Sequence, residues 1–210
     1  MFYICTEQYK HSKYVLKSTN KMPKIEQFDK SKAVQMALDV FWEKGYKGTS
    51  LTDLTESLGI GKGSFYNTFK SKRALFEQCI HVFQENSVKN LKEKLHAEED
   101  AKKGLHHYLK VTLEDAINDQ KHKGCFMTNI ATELGASDED IAHMLNDYYA
   151  KMKVVLTDYL KNRSNLQNKT IKEVTNTFIT FFIGMTVQVK LQNNKSQIEK
   201  SIDHLIESFF

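Results

Sequence analysis

Residues 46–75 read YKGTSLTDLTESLGIGKGSFYNTFKSKRAL, and this stretch determines the fold that we expect for the chain. Five of the nine glycines in the sequence lie between Gly45 and Gly63, which indicates tight turns between short helices. Ser50 is a favourable N-cap for a first helix, whose leucines recur every three or four residues along one face: Leu51, Leu54 and Leu58. Because Gly59 follows the last of them, we expect it to end this helix in the left-handed conformation.

A second short helix is predicted from about Lys62 to Phe69. Phe65 and Phe69 would share its buried face, because they lie four residues apart. Small polar and aromatic side chains occupy its other faces, and four basic residues flank them: Lys62, Lys70, Lys72 and Arg73. A helix-turn-helix pair of this kind suits insertion of the second helix into the DNA major groove, with basic side chains near the phosphates. The alternative is a helical hairpin with a solvated face and no DNA-binding role.

The pattern GxxGTSLxDLxxxLGIGKGSFYxxFKSKxALF, from Gly45 to Phe76, resembles the DNA-binding region of the tetracycline-repressor (TetR) family of bacterial transcription regulators. With the helix that precedes it, about fifty residues carry this resemblance, whereas the rest of the chain resembles the family only in outline. The resemblance implies a homodimer that binds a palindromic operator in double-stranded DNA, usually as a repressor. It also implies a small-molecule inducer that releases the operator when it occupies the C-terminal domain.

The position of each residue in this family pattern implies its role in DNA binding. One group is expected to face the groove or the base edges: Lys62, Gly63, Ser64, Asn67 and Thr68. A second group is expected to contact phosphates: Ser50, Tyr66 and Lys72. Many family members have an aromatic residue or histidine where this chain has Asn67 and Thr68, so the operator sequence is not predictable. Asn67 can in principle read an adenine edge through two hydrogen bonds.

Upstream of the pattern, Asp29 is the predicted N-cap of a helix from Lys30 to Lys44, which Gly45 would end. The apolar stripe of this helix comprises Ala33, Met36, Ala37, Val40 and Phe41. Residues 1–22 have no clear periodicity and contain four lysines and one glutamate. We predict a disordered extension there, and the alternative is a basic arm that touches DNA phosphates or the minor groove.

The composition predicts an all-α protein. One proline and nine glycines in 210 residues favour long helices, and no segment shows the alternation of a strand. The net charge of +4 arises in the N-terminal part, because residues 81–210 hold 17 basic and 18 acidic side chains. The three cysteines have no paired spacing and the first residues lack the apolar core of a signal peptide, so we expect a cytoplasmic protein. The most apolar run, residues 178–189, is too short for a membrane span.

We predict a helix-turn-helix DNA-binding domain at residues 23–70 and a helical ligand-binding and dimerisation domain at residues 71–210. Ser71 can cap a connector helix, which the resemblance implies links the two domains. Ser137, with the acidic residues that follow it, would begin another long helix. The histidines on these helices lack metal-ligand spacing, so we predict no metal site, and no motif implies a cofactor.

The last two helices are predicted from about Lys169 to Gln192 and from Ser196 to Phe209. The first is apolar on one side through Phe178, Phe182, Met185 and Val189, and on another side through Ile179, Ile183 and Val187. One core cannot cover both sides, and the following helix adds a stripe of Ile198, Ile202, Leu205 and Phe209. We therefore predict a homodimer through these two helices, as the family resemblance also implies. The alternative is an interior helix in a monomer.

Cys125 follows Lys121-His122-Lys123-Gly124 at the start of a predicted short helix. A helix N-terminus and two lysines favour the thiolate, which makes Cys125 a candidate ligand or redox sensor for an electrophile or an oxidant. The Gly-Cys pair also resembles a branch of the TetR family that includes regulators of this kind, and packing between helices is the alternative. A different class of function is an enzyme that uses Cys125 as nucleophile with a base such as His122. No orienting residue or cofactor loop accompanies them, so we expect no enzymatic activity.

Overall fold

The structure, a computed structural model, describes residues 29–191 and 194–210, and these residues form helices without any strand. In chain order the helices are α1 (Lys30–Gly48), α2 (Leu51–Leu58), α3 (Lys62–Phe69), α4 (Lys72–His96), α5 (Ala101–Ile117), α6 (Phe126–Leu134), α7 (Glu139–Arg163), α8 (Asn168–Lys190) and α9 (Lys195–Glu207). The all-α prediction is confirmed. Within the described ranges, no helix combines the length and hydropathy that a bilayer span requires. The predicted disordered extension at residues 1–22 lies outside the described residues.

The helix boundaries around the helix-turn-helix follow the predicted caps. Asp29, Ser50 and Ser71 are the N-caps of α1, α2 and α4, and each accepts a hydrogen bond from a backbone amide of its helix. Gly59 ends α2 in the left-handed conformation, with φ 64° and ψ 29°. Gly45 interrupts α1 with φ 74° and ψ 171°, after which the chain makes one more turn before α2. Only glycine readily adopts the Gly45 conformation.

Two details of the predicted helices are wrong. The N-cap of α7 is Asp138 rather than Ser137, because the Asp138 carboxylate accepts a hydrogen bond from the Ile141 amide, whereas the Ser137 hydroxyl donates to the carbonyl of Leu134. Met36 does not belong to the buried stripe of α1, since 45% of its surface is exposed. The stripe is instead formed by residues at spacings of one, three and four: Ala33, Val34, Ala37, Leu38 and Phe41.

Aromatic side chains connect the N-terminal helices to the C-terminal ones. The rings of Phe41 in α1 and Phe76 in α4 meet edge to face, with centroids 5.0 Å apart. Two turns further along α4, the ring centroid of Phe83 lies 5.2 Å from that of Trp42 in α1 and 5.4 Å from that of Phe126 in α6. The buried residues of the described ranges therefore form a continuous hydrophobic core from α1 to α9. The helices α1 to α3 are therefore packed on the rest of the described chain rather than tethered to it.

Helix α8 is buried on its predicted core side and is partly covered on its second side. Ile179 is 4% exposed, Ile183 is half-buried, and Val187 is 40% exposed. In α9 the buried residues are Ile198, Ile202 and Ile206, while Leu205 and Phe209 of the predicted stripe are only half-buried. Apolar surface consequently remains on the outer side of both helices.

Candidate nucleic-acid interface

A small apolar cluster holds the α2–α3 pair in place. Leu54 and Leu58 of α2 and Phe65 and Phe69 of α3 are each at most 9% exposed. The ring centroids of the two phenylalanines are 5.5 Å apart. Because both rings point inward from the same face of α3, the opposite face of this helix lies at the surface.

The outer face of α3 carries most of the side chains that the sequence predicts to meet DNA. Four of them are exposed: Lys62, Ser64, Tyr66 and Asn67. Thr68 is half-buried, and its hydroxyl donates a 2.8 Å hydrogen bond to the Ser64 carbonyl. A Cβ at Gly63 would meet no other atom within 4 Å, so the surface is open at this position. The structure thus brings the predicted α3 residues together on one solvent-facing surface.

Ser50, a predicted phosphate contact, is engaged in a capping box at the start of α2. Its Oγ accepts a 3.0 Å hydrogen bond from the Asp53 amide and donates a 2.6 Å bond to the Asp53 carboxylate. The Lys44 ammonium also pairs with Asp53, and the hydrogen bonds from Lys44 and Ser50 hold the pKa of Asp53 well below its usual value. A hydroxyl has one proton, so Ser50 must release Asp53 before it can donate to a phosphate. Its DNA contact stays a prediction.

Lys72, the other predicted phosphate contact outside α3, holds the segment between α1 and α2. Its Nζ donates hydrogen bonds to the carbonyls of Tyr46 at 2.7 Å and Thr49 at 2.6 Å. The same ammonium lies 4.4 Å from the centroid of the Tyr46 ring. An ammonium has three protons, so one remains for a phosphate oxygen. The phosphate contact of Lys72 stays a prediction.

Arg73 follows the same basic segment, but its charge is paired with carboxylates. Its guanidinium bonds the Asp138 carboxylate at the start of α7 and, at 2.5 Å, the Glu77 carboxylate one turn along α4. The hydrogen bond from Arg73 lowers the pKa of Asp138 to about 2. Arg73 therefore links α4 to α7 and adds little positive charge to the predicted DNA surface.

The expected lowering of the Cys125 pKa is wrong. Cys125 is the N-cap residue of α6 and is 8% exposed, and burial raises the pKa of its thiol. The neighbouring lysines pair with carboxylates of α1 instead: Lys121 with Glu43 at 2.5 Å, and Lys123 with Asp39 at 3.6 Å. Their charges are therefore offset by α1, and the surroundings of Cys125 favour the packing role over the sensor role.

Cys125 and Cys79 are both expected to resist a disulfide reagent such as DTNB in the folded protein, because burial raises the pKa of both thiols. The measurement uses the Cys5→Ser variant, since Cys5 lies outside the described residues. We expect colour to develop only after denaturant is added. Rapid reaction of one thiol in native buffer, absent after the additional change Cys125→Ser, would contradict this and restore the sensor hypothesis.

The surroundings of Cys125 also do not resemble a catalytic centre. Burial raises the pKa of the Cys125 thiol, and hydrogen bonds from the Thr128 hydroxyl and from the amides of Thr128 and Met127 offset this rise only in part. A thiol with a raised pKa is a poor nucleophile at neutral pH.

Among the residues that the structure describes, no three His, Cys, Asp or Glu side chains are grouped closely enough to hold a metal ion.

Sequence reasoning missed Glu133, which contacts the end of α1 from α6. Its carboxylate accepts hydrogen bonds from the backbone amides of Tyr46 at 2.9 Å and Lys47 at 2.6 Å. The partners are separated by 87 and 86 residues, so neither helical periodicity nor a local motif could indicate the contact.

Comparisons with known proteins give relatives that share these features. A model of the family "Bacterial regulatory proteins, tetR family" matches residues 34–79, which include α2, α3 and the start of α4. The chain is 29% identical over 149 residues to the HTH-type transcriptional repressor ComR of Escherichia coli, and the match covers 70% of each chain. It is 43% identical over 51 residues to IcaR, the HTH-type negative transcriptional regulator of the biofilm operon icaADBC in Staphylococcus aureus. That match covers 24% of this chain and 27% of IcaR.

Among solved structures, the fold is similar to that of the TetR family transcriptional regulator CifR, a cysteine mutant complexed with 26 bp double-strand operator DNA. The TM-score is 0.75 at 22% identity, and the superposition covers 86% of this chain and 97% of CifR. At this identity the likeness establishes the fold: an N-terminal helix-turn-helix part followed by a helical C-terminal part.

Proposed function

We propose that this chain, which belongs to the TetR family of transcriptional regulators, is a repressor that binds a palindromic operator as a homodimer. A small molecule in the C-terminal part would release the operator. In this proposal, residues 23–70 form the DNA-binding domain and residues 71–210 form the ligand-binding and dimerisation domain.

The observation that carries the proposal is the outward-facing surface of α3. Phe65 and Phe69 fix the inner face of this helix in the core, and the exposed side chains opposite them are hydrogen-bond donors and acceptors of suitable size for base edges. The turn from Gly59 to Gly61 places the N-terminus of α3 at the surface, where its backbone amides favour phosphate. A helix in this position reads DNA when it enters the major groove.

The outer side of the last two helices supports the homodimer. Val187 of α8 is exposed, and Phe181 of α8 and Leu205 of α9 line a surface groove between the two helices. Apolar surface on two adjacent helices is suited to a two-fold interface, in which the same patch of each protomer meets its copy. A dimer also matches a palindromic operator, since two α3 helices then read two half-sites.

Buried hydroxyl groups in the C-terminal core support a small-molecule site. Tyr108 and Thr112 of α5 and Thr175 of α8 are at most 4% exposed. The Thr175 hydroxyl has no hydrogen-bond partner among the described residues, and the hydroxyls of Tyr108 and Thr112 make only a weak contact with each other. Buried polar groups are nearly always paired, so a bound molecule could complete these hydrogen bonds. The ring centroid of Tyr108 also lies 6.0 Å from that of Phe178 and 5.9 Å from that of Phe182. These rings would add aromatic surface to the proposed site. Because the buried polar side chains of the described residues are uncharged, we propose an uncharged inducer.

A gel shift with DNA from immediately upstream of the protein's own gene tests the proposed function. We expect the wild-type protein to retard this fragment in the presence of excess nonspecific competitor DNA. Uncharged candidate inducers should then reverse the shift, whereas matched carboxylated analogues should not. Retardation that disappears as competitor is added would contradict operator recognition.

Asn67→Ala is expected to relax the base preference of the protein, with about 1 to 3 kcal/mol of discrimination lost at one position of each half-site. Tyr66→Phe is the matched comparison on the same helix face. Removal of a phosphate-binding hydroxyl should weaken binding to all sequences without changing their order. Selection from a random DNA library measures both effects, and an identical preferred site for wild type and Asn67→Ala would remove Asn67 from the base-reading residues.

A further inference from the structure

The interruption of α1 at Gly45 leaves two backbone amides near the helix-turn-helix without their intrahelical carbonyl acceptors. In a continuous α-helix, the amides of Tyr46 and Lys47 would donate to the carbonyls four residues earlier. Here both amides donate to the carboxylate of Glu133 on α6, with distances of 2.9 and 2.6 Å. One carboxylate therefore replaces two carbonyl acceptors, and hydrogen bonds to a charged acceptor are the stronger kind.

The absence of a side chain at Gly45 lets the Glu133 carboxylate lie close to the interrupted backbone of α1. A Cβ at Gly45 would lie 2.8 Å from Glu133 Oε2, so only glycine leaves room for the carboxylate to approach the backbone. The Lys47 ammonium adds a 3.3 Å hydrogen bond to the Glu133 carbonyl. The segment that Glu133 holds leads directly into Ser50 and α2, which positions α3.

The opposite end of α6 is attached to α1 as well. Immediately before α6, the Gly124 carbonyl accepts a 3.1 Å hydrogen bond from the Trp42 indole. Lys123 lies 4.5 Å from the centroid of the same indole ring. Helix α6 therefore contacts α1 at both ends, and a displacement of α6 would act directly on α1 without passing through α4.

The inner side of α6 faces the C-terminal core. The Thr128 hydroxyl lies 3.3 Å from the Thr186 hydroxyl of α8, and Phe126 packs against Phe83 of α4. Helix α6 thus connects the interrupted end of α1 with the Thr186 hydroxyl of α8 in the C-terminal core.

We infer that Glu133 is the positioning residue that couples the C-terminal core to the DNA-binding helices. Through it, occupancy of the small-molecule site would change the position of these helices. This inference rests on the proposed function, because it assigns the route between the small-molecule site and the operator-binding surface. By linkage, coupling in one direction requires coupling in the other. Operator binding must therefore act on α6 in the wild-type protein, and we expect it to stabilise this helix through Glu133.

Hydrogen exchange of the full-length protein, free and bound to the upstream DNA fragment, tests the inference. In the free protein, Glu133→Ala should accelerate exchange of the Tyr46 and Lys47 amides about tenfold or more, because both lose a charged acceptor. In the complex, the wild-type α6 amides should exchange more slowly than in the free protein, and Glu133→Ala should abolish this protection. Glu133→Gln retains one carbonyl oxygen and should give an intermediate result.

Two control variants distinguish loss of the Glu133 hydrogen bonds from a general loosening of the fold. Lys47→Ala removes the ammonium contact and leaves both amide hydrogen bonds, so it should behave like wild type. Asp138→Asn weakens the link of α7 to Arg73 of α4 and should keep the operator-dependent protection of α6. If wild-type α6 exchange is unchanged when the DNA is bound, or if Glu133→Ala keeps the protection, the inference is overturned. The gel shift of wild type reports operator binding itself, and so separates this result from failure of the proposed function.

Discussion

Val187→Glu is expected to convert the protein into a monomer that has lost operator binding. Val187 is 40% exposed on α8, at the surface that we propose to join two protomers. A carboxylate there would be buried without a partner in the dimer, and such a charge destabilises an interface by several kcal/mol. Each monomer would then bind a half-site through one α3 helix alone, whereas a dimer binds both half-sites through two joined α3 helices. We expect apparent operator affinity to fall about 100-fold or more.

Val154→Glu is the matched control for this substitution. Val154 is 60% exposed on α7, so the same change replaces the same apolar side chain on a different helix. This variant should remain a dimer and bind the operator like wild type. Ile183→Glu is less informative, because Ile183 also packs against the core of its own protomer and its substitution can unfold the chain. Light scattering that reports a dimer for Val187→Glu, with operator binding intact, would place the interface elsewhere.

Gly45→Ala is expected to destabilise the protein by about 2 to 5 kcal/mol, through backbone strain and loss of the Glu133 hydrogen bonds. With φ 74° and ψ 171°, Gly45 lies in a region that residues with a Cβ rarely enter. The added Cβ would also meet Glu133 Oε2 at 2.8 Å. Urea unfolding measures the free-energy change, and operator binding should weaken in parallel.

Gly63→Ala provides the comparison for stability. A Cβ at Gly63 would meet nothing within 4 Å, and the residue lies inside α3, so alanine should change stability by about 1 kcal/mol or less. A Gly45→Ala variant that unfolds at the wild-type urea concentration would show that the interruption of α1 carries no strain and does not depend on the Glu133 contact.

The helix-turn-helix could be predicted closely from the sequence, because local signals specify it. The predicted bounds of α3, Lys62 to Phe69, match the structure, and so do the Ser50 cap and the left-handed Gly59. Caps, glycine conformations and three-four spacing act within a few residues of one another. Local signals do not distinguish two neighbouring residues that can both cap a helix. Ser137 and Asp138 are such a pair, and only the structure shows that the Asp138 carboxylate accepts the hydrogen bond from the Ile141 amide.

Contacts between distant segments could not be predicted in this way. Lys121 and Lys123 are close to Cys125 in the sequence, but their charges pair with carboxylates of α1 about eighty residues earlier. The same reason applies to Glu133, whose backbone partners lie 87 and 86 residues away in the sequence. Burial reverses the sign of the Cys125 pKa shift, and burial is a property of the packed core rather than of the neighbouring sequence.

Selection of binding sites from a random DNA library, followed by light scattering of the selected complex, tests the central claim most directly. We predict an inverted repeat whose half-sites lie about one helical turn or a multiple apart, occupied by protomers in pairs. Asn67→Ala should retain the spacing of the repeat and lose preference at one position of each half-site. A selected sequence without two-fold symmetry, bound by a single protomer, or no enrichment above the starting library, would contradict the account.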